Sequence, residues 1–423
     1  MTDSIKGDGA IRRQRRYGSF IANTYAGVML PGLAGWLVWM LSLAAQAAPL
    51  LLQGQIGKAA VVMELNIGQD GEVDDRYFYR KYHQDLALSG KRMADGSLQL
   101  GENLNYDEQR NDLTLRPQNA GWHGQWHGPK ADKSLPVTLT PYEPAQWPAS
   151  TDAALKPIRQ RSGYDYTRLA GLSLKPGKRE RMQGHTLQWW EEPVSKIRLF
   201  RVLDGYPEGS LQRLNLLLAE RQWQEVASYF QCLERMPARS EYSLSATPML
   251  LSASLLSVSL YSSFDCYAVG PRPGAGDFPL NIALPAVQTL ELSDLLTIAP
   301  DPPSPYPDHL SGADVSIDRN KAALSGCEAS QSDDDPEQRQ AVWLARTMSQ
   351  LYPDRVLPTG NADGCDYRDA SDWGVRTWYA TPQGLYLAPS FPMANRVCEY
   401  PEWSVLPWSL VRQHPGARPD LLP

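Results

Sequence analysis

Short alternating runs separated by turn residues fill the sequence from residue 50 to residue 142, and they constrain the fold more than any other feature. Apolar and polar residues alternate within each run, and signals such as Asp70-Gly71 and Asp95-Gly96 stand between runs. This pattern is typical of half-buried strands joined by tight hairpins. Seven runs have strand length: residues 60–65, 77–82, 85–88, 97–100, 112–115, 120–126 and 135–139. We expect an antiparallel β-meander of seven or eight strands over residues 48–150, curled into a half-barrel or a small sandwich.

A different pattern follows the meander. Residues 151–186 are mixed and basic, and we expect a linker or irregular segment there. In residues 187–423 strand and helix patterns are interspersed, which indicates an α+β domain. One helix is predicted to begin with Ser210 as its cap, and another with Asp335 as cap and Pro336 in the first position. Strands are predicted within residues 197–202, 242–260, 278–296, 376–387 and 405–411.

A positively charged segment precedes an apolar one near the N-terminus. Arginines at positions 12, 13, 15 and 16 lie before residues 26–47, which end in Ala45-Gln46-Ala47. These are the features of a secretory signal, so we expect residues 1–47 to be a signal peptide cleaved after Ala47 and the protein to be periplasmic. The alternative is an uncleaved inner-membrane anchor, since the apolar segment approaches the ~20 residues that span a bilayer. Only in that case is a membrane a partner.

The charge balance bears on the class of partner. The chain has 41 lysines and arginines against 47 acidic residues. Removal of residues 1–47 takes away five basic and two acidic residues, which leaves 36 against 45, a net charge of −9. An acidic chain is not suited to broad nucleic-acid binding, whereas it attracts a basic protein such as a cationic enzyme.

Five cysteines lie in a chain that we expect in an oxidising compartment, where disulfides persist. Their spacings of 34, 61, 38 and 33 residues contain no C-x-x-C pair, which disfavours a zinc ribbon or a thioredoxin-like redox centre. Spacing does not fix the connectivity, and at least one cysteine must be unpaired in a monomer. Among the possibilities we predict Cys327 paired with Cys365, Cys266 paired with Cys398, and Cys232 as a buried thiol.

Degenerate motifs occur in a recognisable order between residues 194 and 412. They are Gly205-Tyr206-Pro207, Leu214-Asn215, Leu256-Ser257-Val258, the turn from Cys266 to Pro273, Leu292-Ser293-Asp294-Leu295-Leu296, Gly384-Leu385-Tyr386 and Leu406-Pro407-Trp408-Ser409-Leu410. This half of the chain resembles the extracytoplasmic domain of lysozyme-sensing anti-sigma factors of the RsiV type, which also occurs beside some peptidoglycan deacetylases.

The resemblance implies an α+β fold and the binding of a protein partner, in known members a lysozyme, without catalysis. Where that family usually has a Gly-Gly-Ala-His-Pro type of turn, this chain has Val269-Gly270-Pro271-Arg272-Pro273, so no role of that histidine carries over. Only about 25 residues precede the apolar segment, too few for a packed domain that holds a sigma factor, so we do not expect signalling to one.

The motifs that could carry chemistry are better explained by structure. His123 and His127 have zinc-ligand spacing for a helix, but the glycines and tryptophans around them favour a strand, where four residues span ~13 Å. Glu191-Glu192 is predicted to form a solvated turn. Residues 361–364 resemble part of a calcium loop, yet Ala370 stands where a bidentate glutamate is needed. The sequence has no G-x-S-x-G elbow, P-loop or dinucleotide turn, so we predict no catalytic residue, metal or cofactor.

Recognition is the function that these features favour. The loop between Cys266 and Asp277 is rich in proline and glycine, and rigid loops lose little entropy on binding. We predict Tyr267, Arg272 and Asp277 as partner-binding residues, and we expect most of the tryptophans in the core. The hypothesis is a periplasmic, non-enzymatic inhibitor or immunity protein against a basic, lysozyme-type envelope hydrolase or toxin. The alternative is a peptidoglycan- or glycan-binding accessory or envelope sensor protein.

Overall fold

The first part of the chain forms a closed barrel of eight antiparallel strands, each hydrogen-bonded to the next. The computed structural model describes residues 49–102, 111–129, 133–233, 240–266, 274–298, 335–360 and 363–423. The barrel strands are β1 (Leu50–Ile56), β2 (Ala59–Leu65), β3 (Glu72–Tyr79), β4 (Asp85–Arg92), β5 (Leu98–Glu102), β6 (Asp112–Gln118), β7 (Gly121–His127) and β8 (Ser134–Pro141). The predicted meander is confirmed.

The predicted half-barrel or sandwich is wrong, because β1 pairs with β8 as well as with β2 and closes the sheet. β1 was absent from the predicted strands. At the seam Gly54 lies opposite Leu139, and a Cβ at this position would clash with the Thr138 carbonyl oxygen. The closure therefore needs glycine at a position where it weakens the strand signal of the sequence.

Alternate residues of the strands fill the barrel. Trp126 is buried there, while His123 and His127 of the same strand are exposed. The interpretation of this motif as a strand is confirmed. The buried apolar residues of the barrel are Leu52, Ile56, Val61, Met63, Leu65, Val73, Tyr77, Leu88, Leu98, Leu100, Leu113, Leu115, Trp126, Val137 and Leu139.

The rest of the described chain confirms the α+β class. Its helices are α1 (Lys156–Arg161), α2 (Gly163–Leu169), α3 (Glu208–Cys232), α4 (Leu292–Leu295), α5 (Pro336–Leu351) and α6 (Trp408–Val411). Within the described ranges, no helix has the length and apolar character needed to cross a membrane. Short 3-10 helices add Pro144–Gln146, Ala153–Leu155, Pro358–Gly360, Ala370–Trp373, Met393–Cys398 and Pro419–Leu421.

Three further antiparallel sheets accompany these helices. The first has the order β11-β10-β9 and consists of β9 (Lys175–Met182), β10 (His185–Glu191) and β11 (Arg198–Val202). The second contains β12 (Glu241–Leu251), β13 (Leu255–Asp265), β14 (Gly274–Asp277), β15 (Leu280–Ala283) and β16 (Gln288–Thr289), with β13 at its centre. The third has the order β17-β18-β19 and consists of β17 (Thr377–Ala380), β18 (Gly384–Ala388) and β19 (Val405–Pro407).

Two sequence-based boundaries need correction. Residues 151–186 are not an irregular linker, since they contain α1, α2 and β9. The helix predicted to begin at Ser210 begins at Glu208, because Pro207 occupies the cap position and the Ser210 hydroxyl donates instead to the Pro285 carbonyl at 2.9 Å. The cap of α5 is confirmed: the Asp335 carboxylate accepts the Glu337 backbone N–H.

A buried network of charges attaches α2 to the barrel. The guanidinium of Arg168 contacts Asp85 of β4 at 2.6 Å and Asp165 at 2.5 Å. Arg76 of β3 lies 3.4 Å from Asp85 and 3.5 Å from Asp165, and the Tyr164 hydroxyl donates to Asp85 at 2.7 Å. The side chains of Arg168 and Asp85 have no exposed area. Each charge in this network is therefore compensated by partners from another element.

The pKa values of two carboxyls around Arg76 shift in opposite directions. Burial alone would raise the pKa of Asp165, but Arg76 and Arg168 outweigh it and hold the pKa below its ordinary value. Asp165 therefore stabilises the fold above its unfolded-state pKa of about 4, and this stability is lost as pH falls through the folded-state pKa. Burial raises the pKa of Glu64 in spite of its neighbour Arg76, so ionised Glu64 opposes folding and acid relieves that cost.

We expect Arg168→Met to lower the free energy of unfolding by about 3–5 kcal/mol, because it leaves Asp85 charged and buried without its closest partner. Urea unfolding followed by circular dichroism measures the change. Adding Asp85→Asn should recover part of the loss. Lys91→Met, which breaks the exposed pair with Glu72, is the control and should leave stability nearly unchanged. If Arg168→Met and Lys91→Met lowered the free energy of unfolding equally, the importance of the network would be contradicted.

Candidate functional site

The predicted recognition loop is described only at its two ends. Tyr267 and Arg272 lie outside the described residues, whereas Asp277 ends β14. Asp277 is only 6 % exposed, and its carboxylate accepts hydrogen bonds from the Ser259 hydroxyl at 2.7 Å and the Leu260 backbone N–H at 2.8 Å. Burial raises the pKa of Asp277. The prediction that Asp277 contacts a partner is therefore wrong: this side chain holds β14 against β13.

Exposed aromatic and apolar side chains lie on β13, directly after β14, and on the segment of residues 396–400 that contacts β14. Phe278 is 54 % exposed, Tyr261 of β13 is 39 % exposed and Val397 is 58 % exposed. The ring of Tyr400 packs edge-to-face on Tyr261, with centroids 5.8 Å apart. We call these four residues the aromatic patch. The patch leaves no signal in the sequence, because the two segments that build it are more than 100 residues apart.

Hydrogen bonds join the two segments of the patch. The Tyr400 hydroxyl accepts the backbone N–H of Asp277, the residue before Phe278, at 3.2 Å. The Arg396 guanidinium donates to the Ala275 carbonyl of β14. These bonds hold the turn that carries Val397 and Tyr400 beside the strand that leads to Phe278. The patch therefore has a defined geometry before any partner binds.

Two disulfides form in the segments that carry the aromatic patch, and their pairing differs from the prediction. Cys232 pairs with Cys266, with Cα atoms 4.5 Å apart, and Cys365 pairs with Cys398, with Cα atoms 5.7 Å apart. The predicted pairing of Cys266 with Cys398 is therefore wrong, and so is the prediction that Cys232 is a free thiol. Cys327, predicted as the partner of Cys365, lies outside the described residues.

Strand register explains the first of these pairs. Cys232 is the last residue of α3, and the chain next enters β12 at Glu241. Glu241, the first residue of β12, pairs with Asp265, the last residue of β13. The open end of the hairpin therefore places Cys266 beside the end of the helix. This register cannot be read from cysteine spacing. Both cysteines of the second pair are buried in the core beside α5.

The disulfides add covalent restraint to the patch. Cys266 follows Tyr261 by five residues, and Cys398 stands between Val397 and Tyr400. Fixing both segments in the free protein reduces the conformational entropy that binding must remove. Aromatic side chains in such a rigid setting are typical of protein-binding hot spots.

Acidic residues surround part of the patch. Glu399 precedes Tyr400 and lies 3.6 Å from Arg396, while Glu402 is exposed two residues after Tyr400. At the end of the hairpin, Glu241 is exposed opposite Asp265. Cations lie close as well: Lys178 and Arg198 line a cavity with Tyr261, and the Arg221 guanidinium donates to the Phe278 carbonyl at 3.3 Å. The argument for a partner of positive charge therefore rests on the net charge of the chain.

Other residues singled out in the sequence have structural roles. Trp373, Trp378 and Trp408 are buried in the core, as expected. Glu192 is buried rather than solvated, and it accepts backbone N–H groups of Val194 and Ser195, so the predicted solvated turn is wrong for this residue. The described ranges hold no group of three or more His, Cys, Asp or Glu residues suited to a metal ion.

Comparison with known proteins adds no relative from which function can be transferred. No protein-family model matches the chain, and no curated protein matches it. The resemblance of residues 194–412 to the RsiV-type domain stays a prediction.

Non-reducing peptide mapping is expected to recover peptides linked through Cys232–Cys266 and through Cys365–Cys398. Replacing Cys365 and Cys398 by alanine should lower the free energy of unfolding by about 3–4 kcal/mol, because the cross-link closes a loop of 33 residues in the unfolded chain. Recovery of a peptide linking Cys266 to Cys398 would contradict the described pairing.

Proposed function

We propose that this protein is an exported, non-enzymatic binding protein that blocks a basic envelope hydrolase or toxin of the lysozyme type, as an inhibitor or immunity protein. The aromatic patch, whose two segments are hydrogen-bonded to each other and each contain a disulfide cysteine, carries the proposal. It acts by occlusion: the patch seats on the partner and covers the cleft in which that enzyme binds its substrate.

The composition of the patch supports a protein partner. Phe278 and Tyr261 present rings with few rotatable bonds, so their burial yields contact area at a small entropic cost. Val397 is a further exposed apolar side chain on the segment of Tyr400, and the Tyr400 ring supports Tyr261 from the side. An exposed apolar cluster with a polar rim is the arrangement found at the centre of protein interfaces.

The charge of the chain supports a basic partner and an extracytoplasmic setting. Residues 48–423 carry a net charge of −9, which accelerates encounter with a cationic protein at low ionic strength. Two disulfides in the described part of the chain are typical of proteins from an oxidising compartment. The periplasm is such a compartment, which agrees with the signal predicted in residues 1–47. The resemblance to a lysozyme-sensing domain points in the same direction.

The alternative function, glycan binding through tryptophans, would need indole faces open to solvent on which sugars stack. Every tryptophan within the described ranges is buried or partly buried. The geometry therefore favours a protein partner over a polysaccharide. Co-sedimentation with purified peptidoglycan distinguishes the two: we expect the protein to remain in the supernatant.

Inhibition assays with a panel of purified basic envelope hydrolases, including a lysozyme, test the proposal. We expect the wild-type protein to inhibit at least one of them stoichiometrically. Phe278→Ala and Tyr261→Ala should each weaken that binding about thirtyfold or more, the usual effect of truncating an interface hot spot. Calorimetric titration gives the dissociation constants.

Met93→Ala serves as the matched control, because Met93 is an exposed apolar residue on the barrel turn after β4. It should inhibit as the wild type does. The proposal fails if no enzyme of the panel is bound, or if Met93→Ala weakens binding as much as the two patch substitutions.

A further inference from the structure

A large cavity lies between the sheet β9–β11 and the helix α3, away from the aromatic patch residues. Its volume is about 850 Å³. One wall is the sheet face that carries Trp190 and Arg201, and the opposite wall is the α3 face that carries Ala219 and Trp223. Residues 149–152, which we call the strap, close one side. We call this cavity the arginine pocket, and its size lies within the range of small-molecule sites.

A buried arginine without a carboxylate partner lines the arginine pocket. Arg201 is only 8 % exposed, and within the described ranges no carboxylate oxygen lies within 4.0 Å of its guanidinium. Its Nη1 donates to the Phe200 carbonyl and its Nη2 to Gln222 Oε1, both at 2.9 Å. A guanidinium has five N–H groups, so three are left for a ligand.

The charge of Arg201 persists at neutral pH. Burial lowers its pKa to about 10, and the more distant Asp152 opposes that shift. Arginines that are this deeply buried are otherwise paired in proteins, as Arg168 is in this chain. The contrast between the two arginines indicates that Arg201 has donors open to a direct charged partner that no described carboxylate provides.

The acid nearest to the pocket is already engaged. The two carboxylate oxygens of Asp152 accept the Ala154 backbone N–H at 3.0 Å and the Trp223 indole N–H at 2.7 Å. These bonds fix the strap to α3. Asp152 therefore shapes the wall of the pocket and does not neutralise Arg201 by direct contact.

Further donors and apolar surface complete the pocket. Arg179 of β9 is exposed at its edge, where its Nε donates to Gln188 Oε1 at 2.7 Å and its terminal nitrogens remain available. The indole of Trp190 is partly buried. Leucines at positions 155, 172, 174 and 203 add apolar lining, beside the polar side chains of Ser173 and Asn215. The pocket thus places cationic groups beside a larger apolar surface.

We propose that the arginine pocket binds a small organic anion in which one carboxylate is attached to an apolar body. The carboxylate lies on the Arg201 guanidinium, whose planar fork fits two carboxylate oxygens, with Arg179 at the entrance. The apolar body packs against Trp190 and the leucines. A free carboxylic acid and the C-terminal carboxylate of a peptide share this chemistry. The proposal does not depend on the aromatic patch.

Isothermal titration calorimetry on the intact protein tests the pocket with matched acids and amides. The probes are 3-phenylpropionate, the peptide acid N-acetyl-leucyl-phenylalanine, and the primary amide of each. We expect at least one acid to bind and its amide to bind at least about tenfold more weakly, because the amide cannot form the charged hydrogen bonds. Which acid binds identifies the source, and either result supports the proposal. Equal binding of acid and amide, or no acid with a dissociation constant below about 10 mM, overturns it.

Substitutions locate the binding. Arg201→Met should weaken acid binding about ten- to hundredfold. Ala219→Phe keeps the arginine and fills the pocket from α3, so it should also abolish binding, and it decides the question if Arg201→Met does not fold. Arg198→Met is the control, because Arg198 lies on the opposite face of β11 with a side chain that is 63 % exposed. Unchanged acid binding by Ala219→Phe would place the ligand elsewhere and overturn the proposal.

Discussion

The ion pair between Arg168 and Asp85 is the interaction on which the arrangement of the described chain depends. It joins α2 to the barrel where neither charge reaches water. The same guanidinium lies 5.6 Å from the ring of Phe230 on α3, so one side chain contacts three elements of the fold. An isolated buried pair offers little net stability over an apolar contact, yet removal of one partner is costly. We expect the pair to act through specificity, because any other position of α2 on the barrel would leave these buried charges without partners.

The helix α3 extends this arrangement to both proposed binding regions. Ala219 and Trp223 of its middle part line the arginine pocket. Its last residue, Cys232, is covalently bound to the end of β13, the strand that carries Tyr261. One helix therefore supports both regions, while each region uses different side chains for binding.

Local patterns were predictable, and long-range pairing was not. The alternation around Trp126 correctly predicts a strand with buried tryptophan, and the Asp335-Pro336 cap correctly predicts the start of α5, because each signal involves neighbouring residues. Closure of the barrel by β1 and the pairing of Cys232 with Cys266 depend on strand register between distant segments. The aromatic patch likewise depends on contacts between segments that are distant in the sequence. A contact made only by the tertiary fold leaves no signal in a single sequence.

The central claim is that a preformed aromatic surface, fixed by two disulfides, binds a basic protein. Hydrogen–deuterium exchange tests this claim most directly, measured on the protein alone and on its complex with a hydrolase that it inhibits. The account predicts slower amide exchange on binding in residues 261–266, 274–278 and 393–402, with the barrel turns unchanged. Unchanged exchange in these segments, together with protection on the barrel, would contradict it.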